Sequence, residues 1–73
     1  MMHKDAETQA RDFNERFAVG QAVALELDNG TLEETFLRSA AWVTGGHSAI
    51  AKVDGHAGGW LINRIHPRQV DLT

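Results

Sequence analysis

The sequence predicts a mainly β domain: a small antiparallel barrel of four to five short strands behind a short N-terminal helix. Three observations carry that expectation. The apolar residues change from a helical to an alternating period at Gly20. Beyond that point Asn29-Gly30, Gly45-Gly46, Asp54-Gly55 and Gly58-Gly59 cut the chain into runs of strand length. Finally, none of the 73 residues is cysteine. Without disulfide staples so small a chain must pack efficiently or bury surface against a partner, another copy of itself included.

The helix is expected at about residues 5–17. Ala6, Ala10, Phe13 and Phe17 recur at helical spacing, Asp5 can cap the first turn, and Glu7–Arg11 and Asp12–Arg16 are spaced for ion pairs. A helix this short does not stand alone in water and has to dock through its two phenylalanines. Met1–Lys4 is expected to be disordered, leaving a single domain over residues 5–73.

In "QAVALELD", Val23, Leu25 and Leu27 alternate with Ala22, Ala24, Glu26 and Asp28, the pattern of a half-buried strand. Asn29-Gly30 predicts a type I′ hairpin with a two-residue loop. That register faces Leu27 with Leu32 and Val23 with Phe36, but it also faces Leu25 with Glu34. The mismatch predicts a bulge or splayed loop around Glu33-Glu34. Further strands are expected over about Thr35–Thr44, Ser48–Val53 and Gly59 or Trp60 to Ile65, with a 3₁₀ turn within His66–Val70 and Pro67 ending the sheet.

This arrangement resembles the SH3-like, or KOW-like, β-barrel. The wording of the chain is similar to a group of small bacterial and phage or prophage proteins of unassigned function. Phe13-Asn14, Val19-Gly20 with Val23, Arg38-Ser39-Ala40-Ala41-Trp42 and Gly58-Gly59 carry the resemblance, which spans about Phe13 to Pro67. It implies a fold and a mobile-element origin, and no particular activity. A faint similarity of "GQAV" and "SAAW" to a plasmid-borne dihydrofolate reductase of SH3-like fold implies no reductase here. The pore motif Val-Gln-Ile-Tyr of that enzyme is replaced by Trp60-Leu61-Ile62-Asn63.

The formal charge is −3 and the pI about 5.7. Nucleic-acid binding through the phosphate backbone needs an excess of bases, which this chain lacks. Between Phe17 and Leu37 lie Glu26, Asp28, Glu33 and Glu34 and no base, which predicts an acidic tip. No run of apolar residues is long enough for a membrane helix, and the polar N-terminus does not read as a secretory signal, so a cytoplasmic location is expected.

Candidate protein-binding residues are Arg38, Trp42, Trp60 and Arg64, with the acidic Glu26, Asp28, Glu33 and Glu34 as a secondary surface. Arg38 and Trp42 share a strand face with Ala40 between them, roughly 13 Å apart at the usual rise per residue. A methyl between a guanidinium and an indole leaves a trough for a ligand with an acid and an apolar group. The alternative is that Trp42 is core and Arg38 reaches water or a carboxylate. Trp60 is expected to be the more open tryptophan, because Leu61, Ile62 and Ile65 can supply the core. Ser39 and Ala41, on the opposite face, would let another backbone approach, within the fold or at a homodimer contact. His3, His47, His56 and His66 lack metal-ligand spacing, and no catalytic arrangement or cofactor motif is present. The expectation is a non-enzymatic interaction module that binds a protein. The alternative is nucleic-acid binding through Arg38, Lys52, Arg64 and Arg68 with tryptophan stacking.

Overall fold

The computed structural model describes residues 5–68. The expectations for Met1–Lys4, and for the end of the 3₁₀ turn at Val70, lie outside them. Helix α1 (Ala6–Arg16) is followed by β1 (Ala22–Glu26), β2 (Leu32–Phe36), β3 (Trp42–Thr44), β4 (Ser48–Ala51), β5 (Trp60–Leu61), a 3₁₀ turn (Ile62–Arg64) and β6 (Ile65–Pro67). The domain is mainly β, and its strands form two three-stranded antiparallel sheets, β2-β1-β6 and β3-β4-β5, rather than one closed barrel.

Helix α1 forms where its periodicity places it. Asp5 sits at the N-cap in extended geometry and accepts the Thr8 N–H at 2.8 Å, satisfying one of the first-turn donors. Phe17 returns the chain to extended geometry and ends the helix. The apolar face of the helix closes the space between the sheets: Phe13 and Phe17 stack at 4.4 Å between centroids and, with Ala10, join Val23, Leu25, Leu37, Val53 and Ile65 in one core. Full burial of each large side chain stabilises by about 1.5–3 kcal/mol, which compensates for the helix's weak intrinsic stability. Ala41, Ala49 and Ala51 are the small residues under the helix, which packs against β3 and β4.

The first hairpin differs from the type I′ expectation by one residue. Gly30 N–H donates to the Leu27 carbonyl (2.9 Å), Leu27 N–H to the Thr31 carbonyl (2.8 Å) and Thr31 N–H to Asn29 Oδ1 (3.0 Å). Gly30 has φ 85°, whereas Asn29, like every described non-glycine residue, has negative φ. The loop is therefore Asp28-Asn29-Gly30, a three-residue turn whose glycine supplies the bulge. Val23 now faces Thr35 and Leu25 faces Glu33, in a ladder that runs regularly through Glu33-Glu34. The bulge expected at Glu33-Glu34 is at Gly30 instead. One residue of register turns every side chain of β2 over: Thr35 and Leu37 point inward, and Phe36 is 47% exposed. Buried Thr35 is satisfied because its hydroxyl donates to the Asp54 carbonyl at 2.8 Å.

Two long strands expected from the sequence are broken. The Thr35–Thr44 run divides at Leu37–Ala41, and the run ending at Ile65 is interrupted by the 3₁₀ turn at Ile62–Arg64, earlier than expected; the sheet ends at Pro67, the last residue of β6. Leu37 joins the two sheets. Its N–H donates to the Gln21 carbonyl (2.8 Å) and its carbonyl accepts from Gly20 (2.7 Å), while an isolated bridge pairs it with Val53.

Candidate functional site

The odd run "RSAAW" is explained by that join. Between the Leu37–Val53 bridge and the Trp42–Ile50 pair, one strand advances five residues (37 to 42) while its partner moves three (53 to 50). Two extra residues bulge out of the ladder, and side chains replace the missing backbone partners. Ser39 Oγ accepts the Lys52 N–H at 2.9 Å and donates to the Ala40 carbonyl at 3.0 Å. From helix α1, Asn14 Oδ1 accepts the Ala41 N–H at 2.7 Å and Asn14 Nδ2 donates to the Ala41 carbonyl at 3.1 Å. The small side chains at 39 and 41 serve this internal seam, with Ala41 buried.

After the bulge the strand presents Trp42 outward at 38% exposure. Register aligns Trp42 with Ile50 and Ile50 with Leu61, so the three form one row across the outer face of the second sheet. Leu61 is 43% exposed. Trp60 takes the other face: it is half-buried, packs against the core and meets the His56 ring edge-on at 5.3 Å. The expectation that Trp60 is the more open tryptophan is thus reversed. Strand alternation places Ala51 and Trp60 inward together and leaves Leu61 outside.

The predicted set Arg38, Trp42, Trp60 and Arg64 does not converge. Arg38 pairs with Asp54 at 2.7 Å in an exposed contact and lines a cleft of about 240 Å³ with Lys52 and His56. Arg64 lies on the other sheet's side, 3.3 Å from Asp28 and donating to the Glu26 carbonyl at 3.3 Å. Arg68 is also committed there. Its guanidinium donates to the Thr35 carbonyl (2.6 Å) and the Val23 carbonyl (3.4 Å), and it covers the Phe36 ring at 5.1 Å.

The secondary acidic surface is largely paired. Glu26 meets His66 at 3.0 Å, Asp28 meets Arg64, and Glu33 meets His56 at 2.7 Å. Glu34 alone of the four has no ion pair among the described residues. Asp5 is the carboxyl held below its ordinary range, through the Thr8 backbone N–H first and the Thr8 hydroxyl next. Among the described residues no three His, Asp or Glu side chains converge on a possible metal position. No helix among them is long and apolar enough to cross a membrane.

No family model, no curated protein and no solved structure matches this chain.

The sequence pointed to Trp42 but missed Ile50, Leu61 and Asn14. A signal for Ile50 exists in "SAIAKV", where alanines at 49 and 51 bracket a large apolar residue. Small residues that face a docked helix force the large one outward. Asn14 was visible only as half of the Phe13-Asn14 pair, because nothing local marks an amide that caps a distant strand edge.

Proposed function

We propose that this chain is a non-enzymatic interaction module that binds another protein through a surface centred on Trp42. The observation that carries this reading is the Trp42–Ile50–Leu61 row, an apolar strip across three strands on the outer face of the second sheet. Exposed aromatic and aliphatic side chains aligned on a rigid sheet are the usual anchors of a protein interface. Of the residues first singled out, Trp42 belongs to this surface, and Arg38 is engaged with Asp54 beside Lys52 and His56. Trp60 and Arg64 act elsewhere, in packing and in tethering the first hairpin.

The same reading takes the two sheets as an opened SH3-like barrel in which Leu37 is the residue shared between them. The origin it suggests is an accessory protein of a mobile element. Affinity capture from a host lysate with wild type, Trp42→Ala and Trp60→Ala tests it. Partners retained by Trp60→Ala, provided that variant folds, and lost by Trp42→Ala support the surface; identical capture by wild type and Trp42→Ala sinks it.

Nucleic-acid binding is the second reading, favoured by the Arg38–Lys52–His56 cleft. It is weakened because Arg64 and Arg68 are engaged around the other sheet, so the four bases make no continuous stripe. Salt-sensitive binding of DNA or RNA, lost in Lys52→Ala, would favour it.

A further inference from the structure

We propose, resting on the protein-binding reading, that the partner is an extended basic peptide segment added as a strand to the open edge of β3, in the groove between β3 and helix α1. The hydrogen-bond phase of the β3–β4 hairpin carries the first half of the argument. Thr44 faces Ser48, Val43 faces Ala49 and Trp42 faces Ile50. The turn bond from His47 N–H to the Thr44 carbonyl makes Thr44–Ser48 a bonded pair, so Trp42–Ile50 is also bonded and Val43–Ala49 is not. The peptide groups of Ala41 and Val43 therefore point away from β4, along the free edge of the sheet. Asn14 occupies the Ala41 position with the two-point pairing that a neighbouring strand would make. One step along, Val43 offers the same N–H and carbonyl to the groove, and neither is hydrogen-bonded to any other described segment. Asn14 ends the pairing on one side and so sets where an added strand stops.

Side-chain chemistry carries the second half. The groove, about 480 Å³, is lined by Trp42 and Val43 on the strand and by Glu7, Ala10, Arg11 and Glu15 on the helix beside Asn14. The carboxylates of Glu7 and Glu15 make no ion pair with any described residue, and one guanidinium, Arg11, lies between them in sequence. The lining thus carries one net negative charge beside an exposed indole. A lysine or arginine of the incoming strand on the helix side meets the carboxylates there, while its immediate neighbour, on the opposite face, packs against the Trp42 indole. Strand addition supplies affinity through the backbone and selectivity through such alternate side chains.

The test uses the ¹⁵N-labelled full chain and three acetylated, amidated octapeptides: alternating Val-Lys, alternating Val-Glu, and the Val-Lys peptide N-methylated along its backbone. Saturable binding of the Val-Lys peptide is expected, with a downfield shift and exchange protection at the Val43 amide. The Val-Glu and N-methylated peptides are each expected to bind about tenfold more weakly at low salt. Glu7→Gln/Glu15→Gln is expected to erase most of the preference for lysine. Val43→Pro removes the outward N–H without touching the bonds that Trp42 and Thr44 make to β4, and is expected to weaken binding about five- to tenfold. If that variant misfolds, the N-methylated peptide on wild type decides the same point. Absence of saturable Val-Lys binding at millimolar concentration overturns the proposal, as does self-association of the chain through Val43 in its place. Equal binding of the N-methylated peptide, with shifts confined to Trp42, Ile50 and Leu61, overturns strand addition while leaving the protein-binding reading intact. Capture of host proteins that ignores Trp42→Ala overturns that reading instead.

Discussion

Asn14 and Ala41 are joined by a two-point amide pairing, Oδ1 to N–H at 2.7 Å and Nδ2 to carbonyl at 3.1 Å, between residues 27 apart in sequence. A side-chain amide here stands in for a strand. It fastens the helix to the sheet edge at the point where two extra residues break the ladder, and it joins two of the motifs, Phe13-Asn14 and Arg38–Trp42, that look unrelated along the chain.

Removal of that amide leaves a buried N–H without a partner. Asn14→Ala is expected to lower stability by about 1–3 kcal/mol, measured by urea unfolding, and to speed exchange at the Ala41 amide selectively. Unchanged exchange at Ala41 would contradict the clamp.

The two tryptophans have opposite roles, so their truncation should separate. Trp60→Ala opens space beside the core and should cost about 2–4 kcal/mol, whereas Trp42→Ala should cost less than about 1 kcal/mol. Thermal unfolding of both variants is the check. Equal losses would put Trp42 in the core.

Gly59 is constrained by space alone. A Cβ built there lies 2.6 Å from Ile50 Cδ1 and 3.2 Å from Ile50 Cβ, and only the first of these can swing away. Gly59→Ala is expected to cost about 1–3 kcal/mol through overpacking. Most of that loss should be relieved in Gly59→Ala/Ile50→Ala relative to Ile50→Ala alone, a coupling read from a double-mutant cycle.

The capping carboxylate gives an acid dependence of known sign. Asp5 is lowered from its ordinary value of 3.8 by the Thr8 hydrogen bonds. Its contribution to stability is therefore complete above that value and is lost as pH falls through the lower, folded-state value. Asp5→Ala should reduce the melting temperature at neutral pH, and the gap from wild type should close as the solution is acidified below 3.8. A gap that persists unchanged at the lowest pH would mean the cap acts by something other than its charge.

Helix α1, its Asp5 cap, the apolar face Ala10-Phe13-Phe17 and the inward set Val23 and Leu25 were all legible along the chain. Each depends on spacing or on a side chain reaching three or four residues away, and such contacts are local. The places where the chain turns were legible for the same reason, since Gly30, Gly45 and Gly55 do adopt positive φ.

Which face each later residue takes was decided elsewhere. Asn-Gly is compatible with loops of two or three residues, and packing chose three, because only that register buries Leu37 with Val23 and Leu25. From there Trp42 faces outward and Trp60 inward. Three of the four acids at the expected acidic tip found His56, Arg64 and His66, residues between 23 and 40 positions away. The sequence alone determined the helix, the turns and the alternation of the strands. Tertiary structure decided the register, the break at Ser39–Ala41 and hence the open edge beside Asn14, because a one-residue shift costs little locally and is settled by what the whole core can bury.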